Sequence, residues 1–181
     1  EVLVWSDIVR DSMSNSIPAT YGQMLHTAWI YISTGALFRL MKLRKGPVIA
    51  ALYPVGMLIL QLVLAMFLGL LIVNIFAALG AVFENSRIEF VVNGAGVVAG
   101  LVALVYSLRW FQARDNRLMA YYLMHDYAYS AKSKGANPPE LEARMAEFTD
   151  AIADALGDDV DEVLVVGHSS GAHLAVSILS D

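Results

Sequence analysis

The chain has 181 residues, which allows one domain or one domain with an appendage. Hydrophobic residues make up 57% of the chain and charged residues only 16%, a composition typical of membrane proteins. The net charge is −5 with no basic surface for a polyanion, so we expect no nucleic-acid partner, and the lack of cysteine excludes disulfides and cysteine nucleophiles.

Residues 1–20 begin with a short β-rich run and continue into polar sequence. The run at residues 1–5 (EVLVW) predicts a strand, and the following Ser6-Asp7 pair can cap a helical turn over residues 8–13. Residues 12–20, which include Pro18, are typical of a loop.

Residues 21–47 are interpreted as an interfacial amphipathic helix. Apolar and aromatic side chains recur at helical spacing, and the basic residues Arg39, Lys42, Arg44 and Lys45 precede the breaker at residues 46–47. Aromatic residues and a basic end favour a helix at a membrane surface. A core helix of a water-soluble domain fits the same pattern equally well, and both interpretations remain open.

Residues 48–111 predict a transmembrane hairpin. Residues 48–83 carry no charged side chain, and a helix of about 20 residues suffices to cross a bilayer core. We place the first span at about residues 57–79, since Pro54 lies near the start of the run. A short charged turn at residues 84–89 leads to a second span at about residues 91–108.

Basic residues precede and follow the hairpin in the sequence, whereas its connecting turn is net acidic. The flanking residues after the hairpin are Arg109, Arg114 and Arg117. The positive-inside bias therefore predicts an integral membrane protein with both chain ends on the cytoplasmic side.

Small residues in the hairpin predict close helix packing. Gly96 and Gly100 have GxxxG spacing, which makes a homo-oligomer through these glycines possible. The polar side chains of the two runs, Gln61, Asn74 and Asn93, are uncharged, whereas a transport path is expected to contain ionisable groups. The hairpin is therefore interpreted as an anchor.

Residues 112–162 are predicted to be mostly helical. A helix at residues 118–133 contains His125 and Asp126, but adjacent helical residues point about 100° apart, so they are not a base–acid pair. Residues 140–156 carry one apolar stripe and predict an amphipathic helix.

Residues 163–179 contain the candidate catalytic residues. The aliphatic run at residues 163–166 predicts a buried strand, and residues 167–171 (GHSSG) fit G-x-S-x-G with Ser169 at its centre. A sharp turn from strand to helix needs neighbours without Cβ atoms, which Gly167 and Gly171 provide. Ser169 would be the nucleophile.

The backbone N–H of Ser170 would stabilise an oxyanion at the start of the following helix. The stretch GHSSGAHLA resembles the nucleophile elbow of the α/β-hydrolases, the lipase and esterase superfamily, over about twenty residues. The resemblance implies the α/β class, as a partial doubly wound α/β-hydrolase sheet interrupted by the transmembrane hairpin. The hydrolase domain would then comprise residues 1–20 and 112–181.

In that family the acid and the histidine follow the serine in the chain. The resemblance therefore implies that both lie beyond Asp181, that a second oxyanion donor precedes Glu1, and that this fragment alone is inactive. His168 and His173 are not interpreted as the base. The four histidines are scattered without carboxylates at ligand spacing, so we expect no metal and no cofactor.

These patterns together predict a membrane-anchored serine hydrolase. It would cleave carboxylic esters, with lipid-like acyl substrates favoured because the hairpin holds the site near the bilayer, and its partners would be the lipid bilayer and the ester. The alternative is a non-catalytic, membrane-anchored scaffold or binding protein with a degenerate hydrolase-like domain. A transporter or channel component is disfavoured by the uncharged hairpin.

Overall fold

The computed structural model describes residues 2–11, 16–42, 45–132 and 136–180. These residues divide into two compact units, one within residues 1–13 and 129–181 and the other within residues 14–128. The described helices are α1 (Ser6–Asp11), α2 (Ile17–Ser33), α3 (Ala36–Met41), α4 (Lys45–Gly80), α5 (Ser86–Gln112), α6 (Asp115–Leu118), α7 (Ala120–Lys132), α8 (Pro139–Gly157) and α9 (Ser170–Ser180).

The predicted α/β class, with a partial doubly wound sheet, is wrong. Among the described residues there is no β-strand and no sheet. Residues 2–5 and 163–166 form neither helix nor strand, and Glu1 lies outside the described residues. A strand exists only when its backbone pairs with a neighbour, and neither segment pairs with another within the described chain.

The two segments keep the side-chain alternation of strands although they have no ladder. Val163 and Val165 are partly buried, whereas Leu164 and Val166 are more than four-fifths exposed. The apolar pattern therefore set the local direction of the side chains, but a sheet also needs partner strands, which the pattern does not provide.

Helix α4 and helix α5 form an antiparallel hairpin in the unit of residues 14–128. By length and composition, both are able to cross a membrane, over Val48–Gly80 and Ser86–Gln112, ranges that contain the two predicted spans. In each helix, only 11% of the most apolar 18-residue segment is buried, whereas the core helix of a water-soluble protein is mostly buried. The exposed apolar surface of the hairpin is therefore suited to lipid.

The two helices cross at glycines. A Cβ atom on Gly100 would lie 2.7 Å from the carbonyl oxygen of Gly69, and one on Gly69 would lie 2.9 Å from that of Gly100. A Cβ on Gly96 would overlap the side chain of Phe76. The GxxxG pair, which suggested an oligomer contact in the sequence, is therefore buried against α4 of the same chain.

The predicted single helix over residues 21–47 is divided in the structure. Helix α2 begins earlier, at Ile17, because the Ser16 hydroxyl accepts a hydrogen bond from the N–H of Ala19 at 3.2 Å. The prediction of a loop as far as residue 20 is therefore wrong at its end. Gly35, in the left-handed region with φ of 70°, separates α2 from α3.

In the other unit, α8 and α9 pack against each other around one apolar cluster. Its buried members are Leu141, Met145, Phe148, Leu174 and Ile178. Leu3 and Trp5 pack on this cluster from the N-terminal segment. The amphipathic stripe of α8 therefore provides the support on which the first turn of α9 rests.

Candidate active site

Ser169 lies immediately before α9 in a strained backbone conformation. Its φ is 57°, in the left-handed region, and Met119 is the one other non-glycine residue of the described chain with positive φ. This conformation costs an L-residue roughly 1–2 kcal/mol, so it persists only where the surroundings enforce it. Ser169 is exposed, and its hydroxyl has no hydrogen-bond partner among the described residues.

Gly167 explains how this conformation is enforced. A Cβ atom at this position would lie 2.5 Å from the carbonyl oxygen of Gly171 and 2.6 Å from the Cα of Ala172. The chain before Ser169 therefore touches the backbone of the first turn of α9, and only glycine allows this approach. The turn around Ser169 is sharp because the incoming chain and the helix are in contact.

The second glycine of the motif, Gly171, has room for a Cβ atom. A Cβ on Gly171 would have the indole Nε1 of Trp5 as its nearest neighbour, at 3.9 Å, which is an ordinary contact. Of the two motif glycines, Gly167 is thus the one that the geometry of the turn requires.

Helix α9 begins directly after Ser169, and its first turn is closed by two backbone hydrogen bonds. Gly171 N–H donates to the carbonyl of His168 at 3.1 Å, and Ala172 N–H donates to that of Ser169 at 3.0 Å. Ser170 is the first residue of the helix, where the helix dipole favours negative charge. The amide of Ser170 is therefore placed at the electropositive end of α9, next to the candidate nucleophile.

Neither neighbouring histidine is in position to act as a base. His168 and His173 are both exposed, and no hydrogen bond connects either imidazole to Ser169. His125 belongs to the unit of residues 14–128, where it is buried with Nδ1 unpartnered among the described residues. The structure thus brings together the serine, the elbow glycine and the helix terminus, and leaves the base unassigned.

A small cavity of about 90 Å³ adjoins the first turn of α9. Ser170 and His173 line it from the helix, and Trp5, Tyr129 and Leu141 line it from the rest of the unit. Sequence reasoning missed Trp5 and Tyr129 because nothing in their local pattern indicates which distant helix they approach.

Arg144 holds the N-terminal segment in place beside this site. Its Nη1 donates to the carbonyl of Val4 at 2.6 Å, and its Nη2 donates to Asp7 Oδ2 at 3.0 Å. The hydrogen bond from Arg144 lowers the pKa of the Asp7 carboxyl below its usual range. Arg144 therefore fixes the residues on both sides of Trp5.

Comparison of the chain with protein-family models, with curated proteins and with solved structures finds no match. Within the described parts of the chain, no group of three or more His, Asp or Glu residues could hold a metal ion. Ser169 and the backbone around it are therefore the features of the described chain that point to a chemical function.

Proposed function

We propose that this chain carries the nucleophile of a membrane-anchored serine hydrolase that cleaves carboxylic esters through an acyl-enzyme at Ser169. The observation that carries the proposal is the positive φ of Ser169, between the close contact of Gly167 and the first residue of α9. A strained, exposed serine at a helix N-terminus matches the second half of a nucleophile elbow, which the stretch GHSSGAHLA also resembles, although the strand that precedes the serine in that motif is not formed by residues 163–166.

In the proposed reaction, the Ser169 Oγ attacks the ester carbonyl while a general base removes its proton. The carbonyl oxygen becomes an oxyanion and accepts a hydrogen bond from the backbone N–H of Ser170 at the electropositive end of α9. The alcohol then leaves with a proton, and water hydrolyses the acyl-serine. The proposal assigns neither His168 nor His173 as the base, because neither contacts Ser169.

The proposed substrates are lipid-like esters, because the same chain carries two candidate membrane-spanning helices. The basic residues on the outer sides of the hairpin favour a cytoplasmic position for both ends of the chain and for Ser169. A short-chain, water-soluble ester would not need a site that is tethered to a bilayer.

The test is covalent labelling of the protein in its native membranes with a fluorophosphonate, which reacts with activated serines. We expect label on the peptide that contains Ser169, and we expect Ser169→Ala to remove it. Ser170→Ala is the matched control, since it deletes a neighbouring hydroxyl but keeps the backbone N–H that the proposal uses. Equal labelling of the wild-type protein and of Ser169→Ala would contradict the proposal.

The second candidate function is a non-catalytic, membrane-anchored scaffold or binding protein. It is favoured by one observation, namely that no histidine is hydrogen-bonded to Ser169 in the described chain. This alternative predicts no label at Ser169 in native membranes, under conditions in which other serine hydrolases of the same membranes are labelled.

A further inference from the structure

The unit of residues 14–128 contains an open cleft of about 620 Å³. Helices α2 and α3 and the turn between them form one wall, through Tyr31, Thr34 and Arg39. Ala51 of α4 and Tyr127 of α7 form the other. The cleft lies next to the start of the first candidate membrane span at Val48.

Arg39 is the cationic side chain of this cleft. It is exposed, and no hydrogen bond or ion pair joins its guanidinium to another described residue. A guanidinium presents five N–H donors in a planar fork that matches the oxygens of a phosphate. The cleft therefore combines a side chain that can donate hydrogen bonds to a phosphate with aromatic and aliphatic walls.

The charged side chains of residues 12–83, which supply all of the cleft lining except Tyr127, are entirely positive. Residues 12–83 contain the basic residues Arg39, Lys42, Arg44 and Lys45 and no Asp or Glu. Asp126 of α7 is the acidic group near the hydroxyls of Tyr31 and Tyr127. The excess of basic residues beside a membrane span complements an anionic lipid surface.

The outer surface of α2 and α3 is apolar although it is exposed. The side chains concerned are Leu25, Trp29, Ile32, Phe38 and Met41, and Trp29 is 70% exposed. The first three lie on one face of α2, at helical spacing. An exposed stripe of this kind, with a tryptophan and basic neighbours, is suited to the boundary between headgroups and acyl chains.

We propose that this cleft binds an anionic phospholipid, with the phosphate on Arg39 and the acyl chains against the apolar lining of the cleft at Leu40 and Ala51. The exposed stripe lies on the other face of α2 and holds that helix at the same membrane boundary. The site does not depend on the hydrolase proposal. A free phosphate would use only Arg39, whereas the lipid also accounts for the apolar lining of the cleft.

The test uses the whole chain, reconstituted in nanodiscs that contain phosphatidylglycerol and phosphatidylcholine, followed by native mass spectrometry of the lipids that stay bound. We expect phosphatidylglycerol to be enriched over phosphatidylcholine. We expect Arg39→Gln to lower its retention by more than about tenfold, because it removes the guanidinium hydrogen bonds to the phosphate as well as the roughly fivefold general attraction of one basic residue to an anionic membrane. Arg39→Lys should retain an intermediate amount, since it keeps the charge but not the planar fork.

Lys42→Gln is the matched control, because Lys42 is also exposed and basic but does not line the cleft. We expect it to lower retention by no more than about fivefold, the general attraction of one basic residue to an anionic membrane. Equal losses in Lys42→Gln and Arg39→Gln would show general attraction to the surface and would overturn the proposal. Absence of enrichment in the wild-type chain, or full displacement of the lipid by an equal concentration of inorganic phosphate, would also overturn it.

Discussion

The Tyr127 hydroxyl donates a hydrogen bond of 3.1 Å to the carbonyl oxygen of Ala50. In an α-helix this carbonyl would accept from the N–H of residue 54, but Pro54 has no N–H. A side chain of α7 therefore supplies the hydrogen bond that proline removes from α4. This pairing connects two residues that are 77 positions apart in the chain.

Replacing Tyr127 with phenylalanine should lower the free energy of unfolding by about 1 kcal/mol, because the Ala50 carbonyl loses its replacement donor. Tyr122→Phe is the control, since the Tyr122 hydroxyl makes no hydrogen bond with a described residue. Equilibrium unfolding in mild detergent measures both variants.

The Pro54→Ala background makes this test specific. Alanine restores an N–H to position 54, so the Ala50 carbonyl regains a helical donor and Tyr127→Phe should cost less than half as much. An equal cost of Tyr127→Phe in both backgrounds would show that the hydroxyl does not compensate for the proline.

Gly167→Ala should destabilise the unit that contains α8 and α9 by about 1–3 kcal/mol, because the new Cβ would be forced against the backbone of Gly171 and Ala172. Gly157→Ala provides the control, since a Cβ at that position meets no atom within 4 Å. Chemical denaturation, monitored by tryptophan fluorescence, measures the free energy of unfolding of both variants. Equal stability of the two variants would show that the close approach at Gly167 is not required.

Ser169→Gly should be more stable than Ser169→Ala by about 1 kcal/mol, although both remove the hydroxyl. Glycine adopts a φ of 57° without strain, whereas alanine keeps the strain of the wild-type serine. The comparison of these two unfolding free energies separates backbone strain from the loss of the side chain. If the alanine variant were the more stable one, the left-handed conformation would be refuted.

Gly100→Ala should weaken the hairpin by about 1–3 kcal/mol, because the added methyl would meet the Gly69 carbonyl oxygen and the Val73 side chain, both at 2.7 Å. Gly94→Ala on the same helix meets no atom within 4 Å and should be neutral or slightly stabilising. Resistance to unfolding in sodium dodecyl sulfate compares the stability of the two variants. If Gly94→Ala were the less stable variant, the two helices would not cross at Gly100.

His125 should make stability depend on pH. Burial lowers the pKa of its imidazole, partly opposed by nearby Asp115, whereas the unfolded chain binds a proton near the ordinary value of 6.5. The contribution of His125 to the free energy of unfolding is therefore fully present above pH 6.5. On acidification the free energy of unfolding falls by up to about 1.4 kcal/mol per pH unit, until the pH reaches the lowered pKa of His125 in the folded chain.

Unfolding measured from neutral pH to about pH 5 should show this loss in the wild-type chain and a smaller loss in His125→Phe. Met124→Leu, at the neighbouring buried position of α7, removes no titratable group and should keep the wild-type slope. If His125→Phe also kept it, buried His125 would not be the group that titrates.

Features that depend on one local stretch were predictable from the sequence. The two long helices follow from uncharged apolar runs that exceed a bilayer's thickness, and the turn at Ser169 follows from the spacing of glycine and serine. The sheet predicted from residues 163–166 is absent from the described residues, because a strand depends on neighbours elsewhere in the chain, which a local apolar run does not reveal. The Tyr127–Ala50 pair and the approach of Trp5 to Gly171 also depend on tertiary packing.

The crossing of α4 and α5 at Gly69 and Gly100 determines how the hairpin responds to mechanical load. Because the two backbones touch there, no acyl chain fits between them, and a pull on one helix is transmitted to the other at that point. Extraction by an atomic-force tip should therefore remove the pair from the bilayer in a single step.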